Sequence, residues 1–127
     1  MSIPEEYTRQ IIGCAIEVHR ILGPGLLEEI YERALEEELK ANGFSVCHQL
    51  EIPIIYKGKV LGHGLRLDLL VDNLVIIELK SVYEVLPVHY KQLLTYLRLT
   101  KIKLGFIINF NEEWLKDVIH RVINERD

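Results

Sequence analysis

The sequence predicts an α/β fold: a mixed central sheet flanked by helices, in the order α-α-β-β-β-α-β, closed by a short final strand. Two segments of helical period open the chain, a strand period takes over after Asn42-Gly43, and one helical segment then separates two apolar strands. A strand, a crossover helix and a second strand in that succession form a right-handed βαβ unit, so part of the sheet is parallel.

From about Pro4 to Leu22, Ile11, Ile12, Ala15, Ile16, Val18, His19 and Leu22 recur at helical spacing, with Ser2 or Pro4 at the start. Gly23-Pro24-Gly25 ends that helix, because proline cannot continue it. A second helix runs from about Leu26 to Ala41 and stops at Asn42-Gly43. Its wheel puts Leu27, Ile30, Tyr31, Ala34 and Leu35 on the buried stripe, and Glu29, Glu32, Arg33, Glu36 and Lys40 on the wet side. Alternation then marks strands over Phe44–Tyr56, Val60–Val71 and Leu74–Val82, with turns at Lys57-Gly58 and Asp72-Asn73. Gly62-His63-Gly64 reads as a bend within a strand. Leu74–Ile77 is apolar at four consecutive positions, as in a strand covered on both faces. Leu86–Leu99 is helical with Pro87 in its first turn, and Lys103–Phe110 is a strand. The tail from Trp114 to Ile123 fits a last strand through Val118, His120 and Val122, with a short helix as the alternative. Nothing resembling a linker or a repeat divides the chain, so residues 1–127 are expected to form one domain.

Composition narrows the function classes. Hydrophobic residues make up 49% and charged residues 27%, the mixture of a folded globular protein. No apolar run reaches the roughly 18 residues that span a bilayer, and MSIPEEYTRQ lacks a basic segment followed by an apolar one. Cys14 and Cys47 show no CxxC pairing, and free thiols in a reducing cytoplasm are the expectation. A net charge of −4 argues against coating nucleic acid by charge alone. The charge is uneven, however. Residues 1–42 hold nine acids and four bases, a balance of −5, whereas residues 80–103 hold five bases and one acid, a balance of +4. That second stretch is either a basic surface or an ordinary solvated helix face.

Inside the apolar strands a few ionisable residues stand out: Asp68 in LRLDLLV, and Glu78 and Lys80 in VIIELKS. Alternation places Glu78 and Lys80 on one face. A two-residue turn at Asp72-Asn73 would set Asp68 opposite Ile77. A three-residue loop, Asp72-Asn73-Leu74, pairs Val71 with Val75 and brings Asp68 opposite Glu78; this second register, or a bulge that achieves the same parity, is predicted. Two buried carboxylates facing each other repel, and a divalent cation removes that penalty. Mg²⁺, with Mn²⁺ as a substitute, prefers such hard oxygen ligands and keeps waters that leave room for a phosphate. A Glu-Lys-Asp ion cluster that only satisfies itself is the alternative. The chain lacks a phosphate-binding P-loop, a G-x-S-x-G elbow and a Cys/His zinc pattern.

Asp68, nine intervening residues, then Glu78-Leu79-Lys80 resembles the D-x(n)-E-x-K signature of PD-(D/E)XK nucleases. Gly25-Leu26-Leu27-Glu28-Glu29-Ile30-Tyr31 matches G-x-x-E-x-x-Y, the motif that names the GxxExxY family within that superfamily. His19, the Gly23-Pro24-Gly25 run, Asn109-Phe110 and Arg121 are similar to that family too. The resemblance implies a restriction-endonuclease-like core and a metal-dependent nuclease acting on DNA or RNA. It implies catalytic roles for Asp68, Glu78 and Lys80, with the Leu79 carbonyl as an extra ligand. It also implies that a glutamate from an N-terminal helix joins the metal shell. Glu28, at the shoulder of the apolar stripe, is the matching residue: it either points inward, unlike Glu32 or Glu36, or is a solvated edge glutamate.

His89, Gln92 and Tyr96 share one face of the third helix. Gln92 and Tyr96 resemble the QxxxY element of RecB-type exonucleases, which implies contacts to the substrate. His89 either starts the helix or donates to a phosphate. Tyr31 is core or site support, and His19 either approaches the site or packs as a hydrogen-bonded core histidine. A homodimer or a protein partner would add the surface that one small lobe lacks. A catalytically idle module that binds nucleic acid or protein on the same fold is the rival reading.

Overall fold

A computed structural model describes residues 3–126, apart from the side chains at 115 and 116. Helix α1 (Glu5–Leu22) and helix α2 (Glu28–Ala41) are followed by strands β1 (Val46–Tyr56), β2 (Lys59–Val71) and β3 (Val75–Lys80). Helix α3 (Pro87–Thr100), strand β4 (Leu104–Asn109), the short helical turn α4 (Leu115–Val118) and strand β5 (Ile119–Ile123) complete the chain. The five strands form one sheet in the order β1-β2-β3-β4-β5. β3 and β4 are parallel and joined through α3, and the other neighbouring pairs are antiparallel. This is the mixed α/β architecture that the periodicity predicts.

A core lies on each face of the sheet. On one face, Ile11, Ala15 and Val18 of α1 and Tyr31, Leu35 and Leu39 of α2 pack on Val75, Ile77 and Leu79 of β3 and on Phe106 and Ile108 of β4. On the other, Leu93 and Leu97 of α3 pack on Leu67, Leu70, Ile76 and Ile107. Burial on both sides explains why Val75, Ile76 and Ile77 are apolar in succession.

Three expectations need correction. The α2 stripe is shifted: Leu27 and Ile30 are exposed, and the buried residues are Tyr31, Leu35, Glu36 and Leu39. The tail contains both alternatives in succession, because Val118 closes the helical turn and β5 begins at Ile119. The alternation of β1 and β2 also changes phase. Val46 and Leu69 face the α1/α2 core, yet Leu50, Ile52 and Leu67 join the α3 core. The change occurs at Gln49, whose φ of 47° is left-handed, and the cross-strand pairing skips Gln49 and Asp68. Asp68 therefore sits where the ladder is irregular on both of its sides.

Candidate active site

The hairpin between β2 and β3 fixes the site. Asp72 and Asn73 both take positive φ, which short Asx side chains tolerate, and Leu74 N–H bonds Val71 C=O at 2.9 Å. Val71 consequently pairs with Val75, Leu70 with Ile76 and Leu69 with Ile77, the three-residue register. The ladder stops there. At the next position the side chains take over: Asp68 N–H donates to Glu78 Oε2 at 3.0 Å, and Leu79 N–H donates to Asp68 Oδ2 at 2.9 Å. Each acid thus receives a backbone hydrogen bond from the opposing strand, and the two carboxyl groups are locked side by side.

This arrangement leaves charge uncompensated. Glu78 is 7% exposed. Burial, followed by the charge of Asp68, pushes its carboxyl pKa up to about 8, against the partial relief of the Asp68 N–H and of Lys80. Among the described residues no ion pair involves Lys80. The self-satisfied Glu-Lys-Asp cluster is therefore not what forms. Lys80 is half-buried at the end of β3, with its carbonyl held by Phe110 N–H at 3.0 Å.

The donor set suits a hard cation. Asp68 and Glu78 offer carboxylate oxygens. The Leu79 carbonyl lies on the same edge of β3 as its N–H, facing β2, beyond the last paired residue. Among the described residues no three His, Cys, Asp or Glu side chains gather into a cage. Two carboxylates and a main-chain oxygen leave several positions to water, which is how Mg²⁺ is commonly held.

Glu28 takes the edge position rather than the inward one. It is the first residue of α2, is exposed, and accepts Ser81 N–H at 3.2 Å through Oε1. Glu36 is buried against His48, and Glu32 is half-buried. β1 lies along one side of α2 and covers Glu32 and Glu36, while Glu29, Arg33 and Lys40 on the face the wheel calls wet stay exposed. Gln49 Nε2 there donates to both oxygens of Glu32, at 2.9 and 3.0 Å, and to Asp68 Oδ1 at 3.4 Å. Burial raises the Glu32 pKa, and the Asp68 charge adds to the rise. Sequence reasoning missed Gln49 and Glu32, because no local pattern announces a bridge created by a left-handed residue.

The G-x-x-E-x-x-Y residues act as one staple. Tyr31 stacks on Phe110 with centroids 4.4 Å apart; its hydroxyl donates to Gly23 C=O and accepts Leu26 N–H at 3.1 Å. Ser81 Oγ donates to Leu26 C=O at 2.7 Å, and Glu28 holds Ser81 N–H. The loop between the helices is thereby fastened to the residue after Lys80. From the other side the buried Asn109 grips Val82, accepting its N–H at 3.1 Å and donating to its C=O at 3.0 Å. Asn109 was noted only for its resemblance; an amide amid LGFIINF was the available signal. His19 is buried, with Nε2 2.6 Å from Glu112 C=O and its ring near Phe110, a core position.

Helix α3 covers the face that Ile76 and Glu78 share. Gln92 Nε2 donates to Tyr96 Oη at 2.9 Å. The Tyr96 pKa is raised by burial and then by Glu78, with a smaller contribution from Asp68, so this hydroxyl feels both acids. His89 Nδ1 accepts Leu86 N–H at 2.9 Å, which fixes the proton of the neutral ring on Nε2. His89, Gln92 and Tyr96 line one open groove of about 400 Å³ with Val88, Lys91 and Thr95.

Asp68 and Glu78 thus form a reciprocal pair at the end of a strand that closes on Leu79-Lys80. A sequence model of the PD-(D/E)XK nuclease superfamily matches residues 5–122. The chain belongs to that superfamily. Among solved structures, the PD-(D/E)XK chain is similar to the crystal structure of SSO0001, at 25% identity and a TM-score of 0.60. The likeness covers 96% of this chain and 62% of that one. No curated protein matches it significantly. Among its described residues, no helix is long and apolar enough to cross a membrane.

Proposed function

We propose that this PD-(D/E)XK protein is a Mg²⁺-dependent nuclease that hydrolyses phosphodiester bonds in DNA or RNA. The exchange of backbone hydrogen bonds between Asp68 and Glu78 carries the reading, because it fixes two carboxyl groups side by side, Glu78 buried with its pKa raised, at the strand end that carries Lys80. Asp68, Glu78 and the Leu79 carbonyl are the direct ligands for Mg²⁺ or Mn²⁺, and Glu28, whose carboxylate does not gather with theirs, joins the shell through a water. A bound divalent cation acidifies water and offsets charge on a phosphoryl oxygen. Lys80, without an ion-pair partner among the described residues, orients the attacking water. Gln92 and Tyr96 hold a phosphate from α3, and His89 donates to it from Nε2. Tyr31 and, one layer deeper, His19 support the site through Phe110.

The staple that Glu28 and Tyr31 build with Gly23, Leu26 and Ser81 supports placing the chain in the GxxExxY branch of the superfamily. The free thiols of Cys14 and Cys47 suit a cytoplasmic location. The reading takes residues 1–127 as one domain, since both cores share a single sheet.

Incubation of single- and double-stranded DNA and RNA with Mg²⁺ or Mn²⁺ tests the proposal. Cleavage is expected, with a loss of at least roughly 100-fold in Glu78→Ala and Lys80→Ala. Undiminished cleavage in either variant overturns the site. Binding without cleavage under both metals would assign the rival, idle binding module.

A further inference from the structure

The hairpin of β1 and β2 is longer than the sheet it belongs to. β3 ends at Lys80, and in the observed register a residue across from Lys80 on β2 would be Arg66. Before that point β2 pairs with β1 alone among the described strands. Ile52–Leu65 is therefore a two-stranded ribbon, rooted by Ile52 in the α3 core and unpaired with β3, whose seven β2 residues from Lys59 to Leu65 extend about 20 Å. It projects past the end of β3 that carries Glu78 and Lys80, so its root borders the candidate site.

Its composition is unlike the rest of the molecule. From Ile52 to Leu67 there is no acid, while Lys57, Lys59 and Arg66 give +3. Against a chain total of −4, the remaining residues sum to −7. Arg66 is paired with Glu51 at the root, which leaves the two lysines of the turn as the outermost charges. Lys57 lies over the Tyr56 ring at 5.4 Å, and Tyr56 pairs with Lys59 across the strands. Tyr56, Val60, Ile55 and Leu61 are 58%, 65%, 64% and 46% exposed.

The ribbon is also bent at its root. Pairing shifts between Ile52 and Ile54, where Gly62 and Gly64 both have positive φ. At Gly64 a Cβ would meet Ile52 C=O at 2.3 Å, so only glycine fits. A bulge of this kind re-aims a strand pair out of the plane of its sheet.

The geometry points to a nucleic-acid-gripping arm: the ribbon Ile52–Leu65 enters a groove of duplex DNA, with Lys57 and Lys59 on the phosphates, and holds the duplex over Asp68 and Glu78. The inference rests on the nuclease reading and adds to it the substrate form and the surface. A B-form major groove, roughly 12 Å wide, admits a two-stranded ribbon, whereas the deep, narrow groove of duplex RNA does not.

Fluorescence anisotropy of labelled duplex DNA, duplex RNA and single strands, in EDTA so that nothing is cut, tests the arm. Wild type is expected to prefer duplex DNA. Lys57→Glu/Lys59→Glu is expected to weaken that binding by at least about 10-fold and to reduce the salt slope of log K by about 2. Equal affinity and slope in wild type and variant overturn the arm while leaving the nuclease reading intact; equal binding of duplex RNA overturns the groove assignment. A wild type that neither binds nor cleaves overturns both. Sedimentation of Ile55→Asp/Val60→Asp covers the remaining occupant. A dimeric wild type made monomeric by this pair, with DNA binding untouched by the lysine changes, would give the ribbon to a second copy of the chain.

Discussion

Asp68 and Glu78 each accept a backbone N–H from the other's strand, at 2.9 and 3.0 Å, at the position where the β2–β3 ladder ends. Side-chain oxygens here replace carbonyls that regular strands would supply. The replacement brings two acids into contact, and burial makes that contact unfavourable unless a cation or a proton is present.

The first consequence is a pH dependence of stability. Folding raises the Glu78 pKa from its ordinary 4.5 to about 8, so between those values the folded chain binds more protons than the unfolded one. Stability from this group is therefore fully present below about 4.5 and declines as pH rises toward 8. Glu78→Gln keeps an oxygen for the Asp68 N–H and removes the titration. Thermal unfolding without metal should show wild type losing stability between pH 5 and pH 8 relative to Glu78→Gln. Parallel curves would contradict the assignment of the shift.

Glu28 has two roles to separate. Glu28→Gln retains an acceptor for Ser81 N–H, so thermal stability should stay within about 0.5 kcal/mol of wild type. Mg²⁺ affinity should weaken roughly 10-fold, read by calorimetric titration. Unchanged affinity would leave Glu28 as a staple alone.

Tyr31→Phe preserves the stack on Phe110 and removes the hydroxyl bonded to Gly23 and Leu26. The loss should cost about 1–3 kcal/mol in chemical denaturation, since it leaves an N–H and a C=O without that partner. It should also lower kcat more than it raises KM, because the staple positions Ser81 and hence Lys80. No change in stability would mean that water replaces the hydroxyl freely.

Asn109→Ala removes both bonds to Val82 from a fully buried position. A destabilisation of about 2–3 kcal/mol is expected, with faster hydrogen exchange across residues 80–83. Exchange unchanged there would show that the clasp does not order the end of β3.

The sequence carried the fold well, and the reasons are local. Parity along VIIELK put Glu78 and Lys80 on one face, but the Asx pair at 72–73 fits either a two- or a three-residue connection, and pairing the two acids is what selected the register the strands adopt. Legibility ended where one residue departs from its strand. The left-handed Gln49 shifts the phase of β1 and reaches both Glu32 and Asp68, which no alternation rule anticipates. The wheel of α2 misjudged Glu36 for a related reason: it cannot show that β1 comes to lie on one side of the helix and covers Glu36 with His48.

Calorimetric titration of Mg²⁺ at pH 7, in two buffers of different ionisation enthalpy, tests the carboxylate pair most directly. Binding should release a proton from Glu78, so the apparent enthalpies should differ between buffers, and both heat and proton release should vanish in Asp68→Asn. Binding of equal strength in Asp68→Asn, or binding by wild type with no proton released, would contradict a metal site built on Asp68 and Glu78.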